Sequence, residues 1–266
     1  MAAIRSRRLT IAAIIVAVIA LAAWFLWPRL TAPGAMLGGP RPSACEQIEF
    51  EGSRFTACRY RPGDDRIEFV LDPAGTPLRS FAALEQHLGT RAERLRFAMN
   101  AGMYAENGQP IGLYVENGRE RRKLNLRDGP GNFHLKPNGV FTVDELGRVA
   151  IVQSERYRSR REIRWATQSG PLLVIDGALH PRISDNGESL NTRNGVGVAA
   201  PDIAWFAISD EPVSFGRFAR FFRDRLGCAD ALFLDGNVSS LWDRPAQRQD
   251  VYPQLGPLIT VFSEGR

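Results

Sequence analysis

Leu234-Asp235-Gly236-Asn237-Val238-Ser239-Ser240 follows directly on the apolar run Ala231–Leu234. It reads as a strand that stops at residues able to turn sharply and to hydrogen-bond. The pattern recurs in Asn100-Ala101-Gly102-Met103-Tyr104, in Gly131-Asn132-Phe133-His134 with Pro137-Asn138-Gly139-Val140-Phe141, in Gln168-Ser169-Gly170-Pro171 and in Arg193-Asn194-Gly195-Val196-Gly197. One Asn-Gly or Asp-Gly would signal only a hairpin turn. A series of such strand ends, carrying Arg193 and Asp235, predicts one shared pocket, because polar loops on a rigid scaffold are where sites are built.

Working outward, short β-type runs dominate: Ile67–Leu71, Leu95–Met99, Ile111–Glu116, Val140–Val143, Val149–Val152, Leu172–Ile175, Val196–Ala200, Ile203–Ile208, Ala231–Leu234 and Leu258–Phe262. Glu116–Arg119, Asp144–Gly147 and Asp176-Gly177 have turn chemistry. Two stretches have helical period. Ser80 caps Phe81–Leu88, with Gly89 ending it, and Ser214 caps Phe215–Leu226 with a phenylalanine stripe suited to a core. Strands joined mostly by turns, with few helices, predict an α+β domain with a mostly antiparallel or mixed sheet core. Residues 45–266 read as that single domain.

Residues 1–8 are a basic tail, and Leu9–Trp27 is an uncharged apolar run. Nineteen residues at 1.5 Å each span roughly 28 Å, close to the hydrocarbon thickness of a bilayer. Arg5, Arg7 and Arg8 hold the N-terminal flank in the cytoplasm. The expectation is a single-pass inner-membrane anchor with a periplasmic domain. The run exceeds the usual apolar core of a cleaved signal and ends in Trp24-Phe25-Leu26-Trp27, although cleavage would give a secreted protein instead. Residues 28–44, rich in Pro, Gly and Ala, read as a tether. Cys45 and Cys58 flank a hairpin-like segment and, in an exported protein, are expected to be bridged. Cys228 sits in an apolar stretch and reads as a buried small hydrophobe. The net charge of +5 comes mainly from arginine, a residue suited to phosphate or acidic glycans. With the domain beyond a membrane, nucleic acid is not an expected partner.

No Gly-x-Ser-x-Gly elbow, His-x-x-x-His or Cys-x-x-Cys spacing, phosphate loop or dinucleotide fingerprint is present. The motifs therefore call for neither a metal nor a cofactor. The blocks resemble those of the phosphodiester glycosidase domain, the catalytic domain of the mammalian mannose 6-phosphate uncovering enzyme, found also in bacterial envelope proteins. The resemblance runs from about Cys45 to the C-terminus and rests on Asn100–Tyr104, Arg193–Gly197 and Leu234–Ser240. Gly131–Phe141 and Gln168–His180 resemble the bacterial branch, and Asn237 stands where the enzyme's branch has a second glycine.

The resemblance implies cleavage of a sugar 1-phosphodiester. That reaction has an oxocarbenium-like transition state and expels a phosphate, so it needs a carboxylate near the anomeric carbon and a cation near the phosphate. Asp235 and Arg193 have those signs, and His134 is a candidate proton carrier. Cation and phosphate 4 Å apart interact by about 4 kcal/mol at an effective dielectric near 20. Asn100, Gly102, Asn138, Ser169, Gly170, Asn194, Gly195, Gly236, Ser239 and Ser240 are the candidate substrate-binding residues, with the glycines in a shaping role. A second carboxylate is required, with Asp128, Asp185, Glu188 and Asp210 as candidates. The expected partner is a phosphate-linked saccharide or envelope glycan, and the expected protein a membrane-tethered hydrolase. The rival reading is a non-catalytic module that binds polysaccharide during envelope assembly.

Overall fold

The computed structural model describes residues 42–72, 76–236, 238–251 and 254–264. The Leu9–Trp27 run, residues 28–41 of the tether and Asn237 lie outside the described residues. Among the described residues, no helix is long and apolar enough to cross a membrane.

With strands numbered in chain order, the largest sheet holds β1 (Cys45–Phe50), β2 (Ser53–Tyr60), β13 (Ile203–Ser209), β12 (Asn194–Ala200), β14 (Asp230–Asp235), β10 (Leu172–Ile175) and β11 (Ala178–Leu179), in that spatial order. The second runs β16 (Arg248–Gln249), β15 (Leu241–Asp243), β4 (Leu95–Asn100), β17 (Leu258–Ser263), β3 (Asp65–Val70). The third runs β6 (Arg119–Arg122), β5 (Tyr114–Glu116), β9 (Ile163–Ser169), β7 (Gly139–Asp144), β8 (Val149–Gln153). Every pairing between these strands is antiparallel. The α+β expectation holds. The Ile111–Glu116 run pairs only from Tyr114 onward.

The three sheets share one core. Phe97 of the second sheet and Phe141 of the third meet Phe206 of the first, with ring centroids 5.5 and 5.6 Å apart. Edge-on and tilted contacts of this kind add to the area these rings remove from water. Helix α1 (Phe81–Leu88) buries Phe81, Leu84 and Leu88 on the second sheet. Ser80 caps it by accepting the Ala83 amide at 3.1 Å, and Gly89 leaves it with φ +53°. The Ser214 cap also holds, accepting from Arg217 N at 3.2 Å.

The helix after Ser214 departs from expectation. It is α-helical only over α2 (Phe215–Arg220) and widens to a π turn at Phe221–Arg225. The reason lies in its packing. Consecutive Phe221 and Phe222 are both fully buried, and the wider turn admits both rings to one interface. Gly197 makes room there, since a Cβ on it would lie 2.6 Å from Phe222 Cδ1.

Turns read from the sequence close their hairpins. Asn117-Gly118 and Asp176-Gly177 both take positive φ at both positions, matching the strand twist. Cys45 and Cys58 are register partners on β1 and β2 and form a disulfide. Cys228 is free and buried, with its thiol pushed up to about 12 by burial.

Candidate active site

Strands β4, β12 and β14 end together. Asn194 opens β12 opposite Asp235, which closes β14. Asn194 Nδ2 donates to the Asn100 carbonyl at 3.0 Å, and Ser240 N donates to Asn100 Oδ1 at 2.9 Å. Ser239 Oγ lies 3.2 Å from Asn194 Oδ1 and 3.0 Å from the Asp235 carbonyl. All four side chains are buried. They form a polar knot behind the site, and the local sequence makes it necessary. Strand ends leave backbone groups unpaired, and short amides and hydroxyls satisfy them without reaching water.

In front of the knot lies a cleft of about 660 Å³. Asp235, Gly236, His134, Tyr104, Arg79 and Glu106 all line it. Asp235 is nearly buried, at 8 % exposure, and its Oδ1 accepts the Gly236 amide at 2.6 Å. Turn-capping and cleft-lining therefore coexist in this one side chain. Tyr104 stands beside it. Burial, and then the Asp235 charge, push the phenol well above its ordinary pKa, so Tyr104 stays a hydrogen-bond donor. Its Oη is buried, with the Gly256 backbone as its neighbour. His134 Nδ1 donates to the Arg127 carbonyl at 2.9 Å, which leaves Nε2 of the neutral ring as the acceptor.

Arg193 is placed differently from the expectation of a phosphate-facing cation. It is wholly buried and does not line the cleft. Its Nε donates to Val213 O at 2.9 Å and its Nη2 to Ser189 O at 2.7 Å. The guanidinium lies 3.6 Å above the Phe215 ring and 5.4 Å from that of Phe233. Burial lowers its pKa to about 10, and it stays charged at neutral pH. A Cβ on Gly236 would come within 3.6 Å of Arg193 Nη1, so the charge sits directly beneath the Asp235-Gly236 turn.

Several predicted binding residues prove to be wall supports. Ser169 Oγ donates to Leu234 O at 2.9 Å, and Asn138 Nδ2 donates to Phe133 O at 2.8 Å. Gly102, Gly170 and Gly195 each allow a close crossing. A Cβ there would lie 2.4 Å from Gln168 O, 2.6 Å from Asn138 Cβ and 2.8 Å from Leu232 O, respectively. None of the four carboxylates considered as second acid lines the cleft. Asp128 is ion-paired to Lys136 at 2.8 Å, Asp210 is held by Arg248 and Thr56, and Asp185 and Glu188 are exposed elsewhere.

Two lining residues escaped the sequence reading, the carboxylate of Glu106 and the cation of Arg79. Arg79 has φ +65°, and its carbonyl accepts from Leu255 N at 2.8 Å. Its Nη2 donates to Glu106 O at 2.8 Å and Gln254 Oε1 at 2.7 Å. Both acceptors are neutral, so the full positive charge stays at the cleft rim. The Arg79 segment carries no glycine-asparagine block, whereas Glu106 directly precedes Asn107-Gly108, a turn signal that could have pointed to it. Among the described residues, no cluster of side chains is arranged to hold a metal ion.

A family model for phosphodiester glycosidases matches residues 93–250, a span that includes every one of the strand-end blocks and Asp235. The chain belongs to the phosphodiester glycosidase family. Its class of activity is that of a hydrolase acting on phosphodiester glycosides. The Escherichia coli (strain K12) protein YigE is 40% identical over 215 residues, covering 79% of this chain and 81% of YigE. The fold is similar to the catalytic domain of zebrafish N-acetylglucosamine-1-phosphodiester alpha-N-acetylglucosaminidase, solved in a form auto-inhibited by its pro-peptide. The TM-score is 0.57 at 13% identity, over 83% of this chain and 82% of that one. In this phosphodiester glycosidase the matched blocks build both the support behind the cleft and much of its wall, and Asp235 is the carboxylate they deliver there.

Proposed function

We propose that this phosphodiester glycosidase cleaves a sugar 1-phosphodiester in an envelope glycan, from a membrane-tethered position outside the cytoplasm. The observation that carries the chemistry is Asp235 on the wall of a cleft that also holds Glu106 and Arg79. Asp235 faces the anomeric carbon and stabilises the positive charge that develops as the carbon–oxygen bond to phosphate breaks. Arg79 binds the departing phosphate, which leaves as a monoester and needs little help from an acid. Water adds to the anomeric carbon and loses its proton to Glu106 or to His134 Nε2. Tyr104 donates a hydrogen bond to a sugar or phosphate oxygen. Arg193 acts from below, by fixing the turn and adding a positive field. The tether and location rest on the Leu9–Trp27 run and its flanking arginines.

The test is release of free sugar from a synthetic sugar 1-phosphodiester, with the product anomer read by NMR. The expected result is stoichiometric sugar and phosphomonoester. Binding on a glycan panel with no sugar released would replace the hydrolase by a polysaccharide-binding module.

A further inference from the structure

Beside the cleft lies a second groove of about 420 Å³. Ile111 lines both, so the two are neighbours. The groove is walled by Arg121, Arg122, Lys123 and Arg127. Residues 119–128 carry five basic and two acidic side chains. Of the acids, Asp128 is held by Lys136 at 2.8 Å, which leaves Glu120. Arg121 is shared with Asp72 and Glu116. Arg122, Lys123 and Arg127 make no ion pair among the described residues, and all three are exposed.

Part of this charge has an ordinary explanation. β6 is an edge strand, and exposed charges on an edge discourage pairing with other chains. That accounts for Arg119–Arg122 but not for Lys123–Arg127, which lies beyond the strand. That segment is pinned rather than loose. Asn125 N donates to Gln168 Oε1 at 2.9 Å, and Gln168 Nε2 donates to Asn125 O at 2.7 Å. Asn125 Nδ2 donates to Ile111 O at 2.9 Å, and Lys136 Nζ to Leu126 O at 2.8 Å. His134, on the cleft wall, holds the Arg127 carbonyl. The fold thus fixes the backbone that carries Arg122, Lys123 and Arg127 beside the site, and their mutual repulsion is not relieved by an ion pair among the described residues.

We infer that the 121–127 groove is an extension subsite for a polyanionic glycan, and that the substrate is a chain of sugars joined through repeated phosphates rather than a small terminal diester. The inference rests on the proposed hydrolase reading for the cleft, but the groove's own ligand chemistry does not. A polymer threads from the cleft past Ile111, and its next phosphates meet Arg122, Lys123 and Arg127. A concave groove next to the cleft, sharing Ile111 with it and joined to it through His134 and the Arg127 carbonyl, suits a chain better than a flat membrane surface. Such contacts between exposed charges are screened by salt.

The experiment uses the full chain carrying Asp235→Asn, so that ligand survives, and measures binding of a defined oligomer of hexose 1-phosphate units by calorimetry. A neutral oligosaccharide of equal length and phosphatidylglycerol vesicles are run alongside. The oligomer should bind, with affinity falling steadily as salt rises, and the neutral chain should not. Adding Arg122→Glu and Lys123→Glu should weaken oligomer binding at least about tenfold, with an unchanged melting temperature showing that the fold is intact. Oligomer binding that is absent, or indifferent to the two reversals, overturns the subsite. So do vesicles bound as tightly as the oligomer and released by the same reversals, because the patch would then be a membrane contact. Turnover of a small sugar 1-phosphodiester by the unaltered chain is assayed separately. Its absence would remove the hydrolase reading and leave the groove result standing.

Discussion

Asp235 and Arg193 meet at one turn, but one faces the cleft and the other the interior. Asp235→Asn preserves the hydrogen bond from Gly236 N and removes the charge. Turnover should fall about 10³-fold while ligand binding persists. Steady-state kinetics together with calorimetry would check this, and full activity would return Asp235 to a purely turn-capping role. Arg193→Lys should act on stability first. The lysine keeps a charge but loses the fork that serves Val213 O and Ser189 O, and the planar stack on Phe215. A loss of about 2–3 kcal/mol is expected, read as a lower denaturation midpoint in urea. Arg79→Gln removes a charge from the rim, where its partners are neutral. It should raise KM for a sugar 1-phosphodiester several-fold and leave the midpoint nearly unmoved. The opposite pattern, with Arg79 structural and Arg193 dispensable to the fold, would reverse the roles assigned here. A sequence cannot separate these arginines, because charge is written in the chain and burial is not.

At the scale of elements, local signals were legible wherever one residue type had one physical use. Leu172–Ile175 pairs over its whole predicted length, and Ser80 and Ser214 cap the helices they precede. β6 was not legible, since Arg-Glu-Arg-Arg has neither apolar alternation nor a buried face and is a strand only through its partner β5. The π turn at Phe221–Arg225 was hidden for another reason, because the room that lets both phenylalanines bury is made by Gly195 and Gly197, more than twenty residues earlier in the chain. The strand-end blocks come together at the cleft, where Tyr104, Gly131–His134, Asp235 and Gly236 line its wall while Asn100, Asn138, Ser169 and Asn194 support it from behind.

The loop after β11 supports a prediction about pH. His180 is buried, and burial lowers its pKa below 6.5. Its Nδ1 accepts the Arg182 amide at 3.1 Å, which requires the neutral ring. As pH falls below 6.5 the unfolded chain takes up a proton that the folded chain refuses. Stability is therefore lost progressively until the folded pKa is reached. Melting temperature should drop between pH 7 and 5, and the slope should be shallower in His180→Gln. Equal slopes in both proteins would place the acid sensitivity elsewhere.

On the scale of the whole molecule, the one-domain reading rests on rings from three sheets meeting in a common centre. The expected location is open to a direct test. A reporter active only outside the cytoplasm, fused after Arg266, should be active, whereas activity of a strictly cytoplasmic reporter there would refute the proposed topology. The pairing of β3 with both ends of its length matched to β17, Val70 opposite Leu258 and Asp65 opposite Ser263, has a consequence for biosynthesis. β17 is also the neighbour of β4, so the strand that lies between β3 and β4 is made nearly two hundred residues after β3. A chain threaded out in order, N-terminus first, cannot close its second sheet until β17 has emerged. The apolar faces of β3 and β4 must wait, uncovered, for that moment. Nascent chains stalled before Leu258 should remain protease-sensitive throughout, and chains released after Ser263 should become resistant in a single late step.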